Sequence, residues 1–231
     1  EAVITSVGVG TVASNTYATA AEANILAGST KAIVFSIKDT AANIAGANAA
    51  ARSEAVNIIS TTVANVAQAT KIVENTSGYN TFNIEDTDEN IAGAGNDLLA
   101  KAGTVTVSGT ATIQHATTIS GFAQAVAYSI SDVSNNALGT TTDAYNEAIN
   151  ITIIDNTTFA KAKAIEDATN SGSISYSVSD SAANLAAGIG SDEAVITSVG
   201  VGTVASNTYA TAAEANILAG STKAIVFSIK D

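Results

Sequence analysis

Residues 1–39 of this chain recur without a single change as residues 193–231. Few features constrain a fold more tightly than an exact internal copy. Identical stretches favour architectures in which each repeat packs on its neighbours, so that every junction is alike. Identity over the whole stretch points to recent duplication within an array. Residues 1–192 then form one full period, and residues 193–231 begin the next as part of a single continuous structure.

A finer period lies inside the long one. The pattern aromatic–x–Ile/Val–x–Asp occurs as Phe35-Ser36-Ile37-Lys38-Asp39, Phe82-Asn83-Ile84-Glu85-Asp86, Tyr128-Ser129-Ile130-Ser131-Asp132 and Tyr176-Ser177-Val178-Ser179-Asp180, and it closes with Phe227 to Asp231. An asparagine stands four residues after each of the first four aspartates: Asn43, Asn90, Asn136 and Asn184. The long period therefore holds four units of about 48 residues.

Each unit reads as strand, helix, strand, helix. In the second, Val56-Asn57-Ile58-Ile59 alternates toward a strand. Residues 61–74 place Val63, Val66, Ala69, Ile72 and Val73 on a helical stripe, which Gly78 ends. Thr81 to Glu85 forms the next strand. Asp86 caps a helix running through Ile91, Leu98 and Leu99, which Gly103 closes before Val105-Thr106-Val107. The stripe returns as Ile113, Ala116 and Ile119, and as Phe159, Ala162 and Ile165. Residues 199–204 match the pattern poorly and predict a looser segment. Strands joined through helices are parallel crossovers, not hairpins. The expected fold is α/β: a repeat solenoid with a parallel β-sheet on one side and short Ala-rich helices on the other. Its turn is either about 24 or about 48 residues. At ~4.8 Å between strands the long period spans roughly 38 Å in the first case and half that in the second.

Composition agrees and excludes several functions. Hydrophobic residues make up 46%, yet aromatics only 5%, so the core must be built from Ala, Val and Ile. A mean hydropathy of +0.27 argues against disorder. The net charge of −12 leaves no clustered positive surface for nucleic acid. Cysteine is absent, which removes disulfides and thiolate metal sites. No apolar run approaches the roughly 18 residues of a membrane span, so no membrane insertion is expected. The chain opens at Glu1 with no signal peptide; in a fragment or processed product the signal would lie upstream.

The Asp ladder at 39, 86, 132 and 180 reads first as a row of helix N-caps, with a calcium ladder as the alternative. Calcium requires six to eight oxygens, and only Glu85-Asp86-Thr87-Asp88-Glu89 is acid-rich, which makes Asp86, Asp88 and Glu89 the candidate ligands. Gly93-Ala94-Gly95-Asn96-Asp97 matches part of a calcium-binding glycine-rich repeat but stands alone on an expected helix. No other cofactor is expected. The Asn ladder either bonds the backbone of adjacent turns or is solvated. His115 is the sole histidine, at a position held by Ala67 in the second unit, and reads as a helix residue. The pairs Asp86/Asp88 and Glu166/Asp167 read as exposed charge, and no phosphate-cradling loop occurs, so no catalytic residue is expected. Sequons begin at Asn75, Asn150 and Asn156.

The stretches 36–45 (Ser-Ile-Lys-Asp-Thr-Ala-Ala-Asn-Ile-Ala), 177–186 (Ser-Val-Ser-Asp-Ser-Ala-Ala-Asn-Leu-Ala) and 63–69 (Val-Ala-Asn-Val-Ala-Gln-Ala) resemble tandem repeats of giant bacterial extracellular surface proteins, of cyanobacterial and haemolysin-like calcium-associated types. The resemblance implies a secreted or cell-surface stalk, adhesin, surface layer or filament. The glycine-rich calcium repeats usual in such proteins are missing. The expected function is a structural module that associates with further copies of itself. An adhesin displaying a flat face to glycan, ice or another cell, or a spacer in a larger secreted protein, are the alternatives.

Overall fold

The computed structural model describes residues 9–13, 16–75, 78–197, 201–206 and 208–230. It is an α/β structure of parallel sheets with twelve helices and no closed barrel among the described residues. The chain divides into two compact units, one of Glu1–Ser108 with Phe122–Val126 and the other of Gly109–Gly121 with Ala127–Asp231.

In the first unit the strands are β1 (Val9–Thr11), β2 (Ala32–Val34), β3 (Ile37–Asp39), β4 (Ile58–Ser60), β5 (Asn80–Thr81), β6 (Ile84–Asp86) and β7 (Val105–Val107). The helices between them are α1 (Ala20–Ala27), α2 (Ala41–Gly46), α3 (Ala49–Glu54), α4 (Val66–Ile72), α5 (Asp88–Ala94) and α6 (Asn96–Leu99). Pairing is parallel throughout: β1 with β2, β3 with β4, β4 with β5, and β6 with β7. Isolated bridges join Ala18 to Ile37 and Ala64 to Ile84.

The second unit holds α7 (Ile113–Ile119), β8 (Val126–Ala127, at the division), β9 (Ile130–Asp132), α8 (Asp143–Asn146), β10 (Ile151–Thr157), α9 (Phe159–Glu166), β11 (Ile174–Asp180), α10 (Ala182–Asp192), α11 (Ala194–Thr197), β12 (Val201–Val204), α12 (Ala212–Ala219) and β13 (Ala224–Val226). One parallel sheet runs β13-β12-β11-β10-β9.

Paired residues lie close together in sequence, from 19 apart (Ala18 and Ile37) to 24 apart (Val178 and Gly202). Paired strands are therefore one β-α step apart in sequence. The interior of each step mixes alanine with isoleucine and a few aromatics. Ala23, Ala51, Ala69, Ala116 and Ala162 are fully buried beside Ile37, Ile58, Ile84 and Ile130. The aromatic of each motif, Phe35, Phe82, Tyr128 and Tyr176, is buried too. Alanine lets a helix approach its strand closely and costs no side-chain entropy.

Several local expectations shift. Residues 61–74 are not one helix: Asn65 caps α4 at Val66, Ala64 is drawn into the bridge with Ile84, and Val63 is exposed, leaving Ala69 and Ile72 as the buried stripe. The strand expected at Val56–Ile59 starts two residues later, as β4. The one expected at Thr81–Glu85 is split around buried Phe82 into β5 and β6. Asp86 to Leu99 is likewise two helices, broken at Gly95 with φ of 76°. Neither Gly78 nor Gly103 closes a helix: α4 ends at Ile72 and α6 at Leu99, and the Gly103 amide instead donates to the Phe82 carbonyl at 2.9 Å. Residues 201–204 form a strand paired on both sides, so the looseness expected there is absent from the described part. The stripes Ile113/Ala116/Ile119 and Phe159/Ala162/Ile165 are buried as expected.

Where both copies of the duplicated segment are described, they share their helix caps and much of their strand register. Thr19 and Thr211 both cap their helices in a reciprocal box, with Glu22 and Glu214. Val9 faces Ala32 in one copy and Val201 faces Ala224 in the other. Lys38 lies over the Tyr17 ring and Lys230 over the Tyr209 ring, each at 5.6 Å.

Close step-to-step approach is testable at two glycines. A Cβ on Gly103 would sit 2.8 Å from Asn83 Oδ1, whereas one on Gly93 meets nothing within 4 Å. In urea unfolding, Gly103→Ala should destabilise by about 1–3 kcal/mol. Gly93→Ala, inside α5, should stabilise by about 0.5–1 kcal/mol.

Candidate functional site

The repeated chemistry of this chain is a carboxylate held between two helix N-termini. Asp39 ends β3, so its backbone belongs to the sheet. Its Oδ2 accepts from the Ala20 amide of the preceding step at 3.0 Å. Its Oδ1 accepts from the Thr40 amide at 2.8 Å and from Asn43 Nδ2 at 2.9 Å. Asp86 repeats this with Val66, Thr87 and Asn90, each at 2.9 Å. Asp132 does so with Ile113 (2.9 Å), Val133 (2.8 Å) and Asn136 (2.8 Å). Asp180 does so with Phe159 (2.9 Å), Ser181 (2.8 Å) and Asn184 (2.8 Å). Asp231 lies outside the described residues.

This corrects the N-cap reading of the ladder. The caps are the residues that follow: Thr40, Thr87 and Ser181 accept from the amides of Asn43, Asn90 and Asn184. The aspartate sits one residue earlier because pairing carries the strand through it, as in Asp39 opposite Ser60. From there it reaches the first free amide of the previous step's helix, where the backbone dipoles favour negative charge. In the third unit Val133 occupies the cap position and has no acceptor. Residues 134–136 form only a turn, although Asn136 still holds Asp132.

Of the two readings of the Asn ladder at 43, 90, 136 and 184, bonding to the backbone of adjacent turns is corrected, while all four residues are exposed as the solvated reading has them. Each side chain holds the aspartate of its own step and does not bond the next one. The role expected of it belongs to other asparagines. Asn24 Oδ1 accepts from the Asn48 amide, Asn57 from Tyr79, Asn83 from Thr104, Asn96 from Ala123, Asn146 from Thr169 and Asn150 from Ser173. Glycines open the approach: Gly78, Gly103 and Gly172 each stand against an Asn side chain of the preceding step.

Further polar anchors follow the same rule that buried polar groups find partners. Arg52 is buried, donates to Glu74 Oε2, and also reaches the carbonyls of Ala45 and Ala47 at the end of α2. Tyr128 Oη donates to the Ala144 carbonyl at 2.9 Å, and burial pushes its pKa up. Tyr176 Oη contacts Glu166 Oε2 and the Val195 carbonyl, both at 2.9 Å.

None of the remaining candidates converges on a reactive centre. Both Asp86 oxygens are engaged by N–H donors, an arrangement that competes with a cation, while Asp88 and Glu89 occupy the first turn of α5. Among the described residues no group of three or more His, Cys, Asp or Glu is placed to hold a metal ion. His115 aligns with Gln68, not Ala67, because Ala111 and Ala64 make the equivalent bridges; its amide donates to the capping Thr112. Of the second carboxylate pair, Glu166 meets Tyr176 and Asp167 pairs with Lys163. Asn150 is committed to Ser173 and Ser129, Asn156 is exposed, and Thr76 and Ser77 of the third sequon lie outside the described residues. No helix among the described residues is long and apolar enough to cross a membrane. No protein-family model, curated protein or solved structure matches the chain.

Burial raises the Asp39 and Asp86 carboxyls, but their donors outweigh it and hold both below the ordinary range. Those donors are the Ala20 amide, Asn43 and the Thr40 amide for Asp39, and Asn90 with the Val66 and Thr87 amides for Asp86. A depressed folded pKa contributes stability that is complete above the unfolded value of about 3.9 and is lost as pH falls through the folded value. Urea midpoints should therefore drop on acidification below about pH 4, and Asp86→Asn should show less of that drop. At neutral pH Asp86→Asn should cost about 1–3 kcal/mol and Asn90→Ala about 0.5–1.5 kcal/mol. An unchanged melting temperature for Asn90→Ala would remove its role in holding Asp86.

Proposed function

We propose that this chain is a structural repeat module of a long extracellular bacterial filament, stalk or surface layer, built as an α/β solenoid and assembling by end-to-end stacking of repeats. The observation that carries the reading is the duplicated segment, whose two copies share caps, strand register and ring contacts. A sequence that folds alike at two places in one chain suits indefinite repetition. The chemistry of the chain points the same way. Its repeated polar groups are spent on tying one β-α step to the next, and its one histidine sits on a capped helix.

Lengthening the chain by one further 192-residue period tests the reading. The solenoid adds eight β-α steps, so scattering or negative-stain images should show unchanged width and an increase in length of roughly 38 Å, at ~4.8 Å per strand. Growth in width together with length would contradict it.

A further inference from the structure

The three sequons differ in what the fold leaves of their asparagines. Asn75 is 3% exposed, and its carbonyl accepts from Asn80 Nδ2 at 3.1 Å. Asn150 is bonded on both sides of its strand. Its Oδ1 accepts from the Ser173 amide at 2.8 Å and from Ser173 Oγ at 3.0 Å, while its Nδ2 donates to Ser129 Oγ at 3.4 Å. Gly172 stands so close that a Cβ there would lie 2.4 Å from Asn150 Oδ1. Neither side chain has space for a bulky substituent. Asn156 is exposed, and its side chain makes no hydrogen bond to any described residue.

The backbone shows why Asn156 stands clear. The pairing of β10 with β11 shifts register between Thr152 and Asn156. Such an irregularity re-aims the side chains around it. Ile154 and Asp155 are exposed, and so is Ser177, which faces Asn156 from β11. Asn156 also stands two residues before a helix cap, since Thr158 caps α9. The same position is held by Tyr17, Val63, Thr110 and Tyr209 in other steps, and all four are exposed. The site lies inside the chain, with β9 on one side of β10 and β11 on the other, so its exposure owes nothing to an end of the chain.

We infer that Asn156 is an acceptor for an N-linked glycan, and that of the three sequons it is the one this fold carries in modified form. The acceptor motif needs the asparagine and a hydroxyl two residues on, here that of Thr158. In the transfer, Nδ2 bonds to the anomeric carbon of an oligosaccharide carried on a lipid diphosphate. The bond from that carbon to the phosphate oxygen breaks, the lipid diphosphate leaves with the electron pair, and Nδ2 gives up one proton. In the folded chain Thr158 Oγ1 accepts from the Lys161 amide at 3.5 Å, so transfer belongs to the chain before α9 forms. Folding then selects. A sugar at Asn75 or Asn150 displaces the groups packed around it, whereas one at Asn156 projects into water. The inference rests on the extracellular reading above, and it places one glycan in each long period of the array.

Export of the 231-residue chain, behind a removable secretion signal, from a host that has an asparagine oligosaccharyltransferase tests it. Peptide mass mapping of the soluble secreted protein reads which asparagine carries added sugar. Sugar is expected on the Asn156 peptide and absent from those of Asn75 and Asn150. Asn156→Gln should abolish the glycan and leave the circular dichroism melt of the unmodified chain unchanged, because that side chain holds nothing in place. A bare Asn156, in a host that modifies a control sequon exported beside it, overturns the inference. Sugar on Asn75 or Asn150 in protein that melts like the parent overturns it too. The added signal supplies export, so a bare Asn156 counts against the site and not against the extracellular reading. The length measurement on the extended chain tests the array separately.

Discussion

A carboxylate offers two oxygens and can accept several hydrogen bonds, and in this chain one carboxylate per pair of steps takes three N–H donors, one from the helix N-terminus of the step behind and two from the segment that follows it. Each helix begins with amides that have no partner inside the helix. In these steps such amides stand beside the neighbouring strand, and leaving them unpaired is costly. The aspartate satisfies the first amide of the helix behind it and the cap amide of its own. The asparagine four residues on then fixes its orientation. Charge, sheet register and helix start are thereby set together, and the spacing of the motif is the spacing at which they agree.

The rest of the structure follows from keeping neighbouring steps close. Alanine-lined helices approach their strands, and glycines such as Gly78 and Gly172 admit the Asn side chains that cross from the preceding step. Where an interior position grows, as at Tyr128, Tyr145 and Tyr176, the hydroxyl finds a backbone partner: the Ala144 carbonyl of α8 for Tyr128, the Val195 carbonyl of α11 for Tyr176, and the Leu138 amide for Tyr145. Among the described residues, open grooves lie beside two of the Asp–Asn pairs, Asp39 with Asn43 and Asp180 with Asn184.

How far the sequence could be read depended on how local each signal was. The aromatic–x–Ile/Val–x–Asp pattern located strands and core, because strand pairing needs the branched residue inward and the aromatic beside it. Which residue caps was less legible, since Asp and Thr are both good caps and stand side by side at 39–40 and 86–87. Pairing with the next step decided it by holding the aspartate in the strand. The cross-step asparagines were hidden for the same reason. Asn57 and Gly78 form one feature, yet they lie 21 residues apart in a chain full of both residue types. Signals that were local but passed over include the reciprocal caps Asn65/Gln68 and Thr19/Glu22 and the Gly95 break.

The account stands on the claim that the aspartates bond across steps. Hydrogen exchange at single amides addresses it directly, because exchange reports whether an amide is bonded. The first helical amides, of Ala20, Val66, Ile113 and Phe159, donate to Asp39, Asp86, Asp132 and Asp180. They should be protected at neutral pH, while the next amides along, of the exposed residues Ala21, Ala67, Gln114 and Ala160, exchange rapidly. Equal, rapid exchange at both sets would contradict the claim and, with it, the way neighbouring steps are held together.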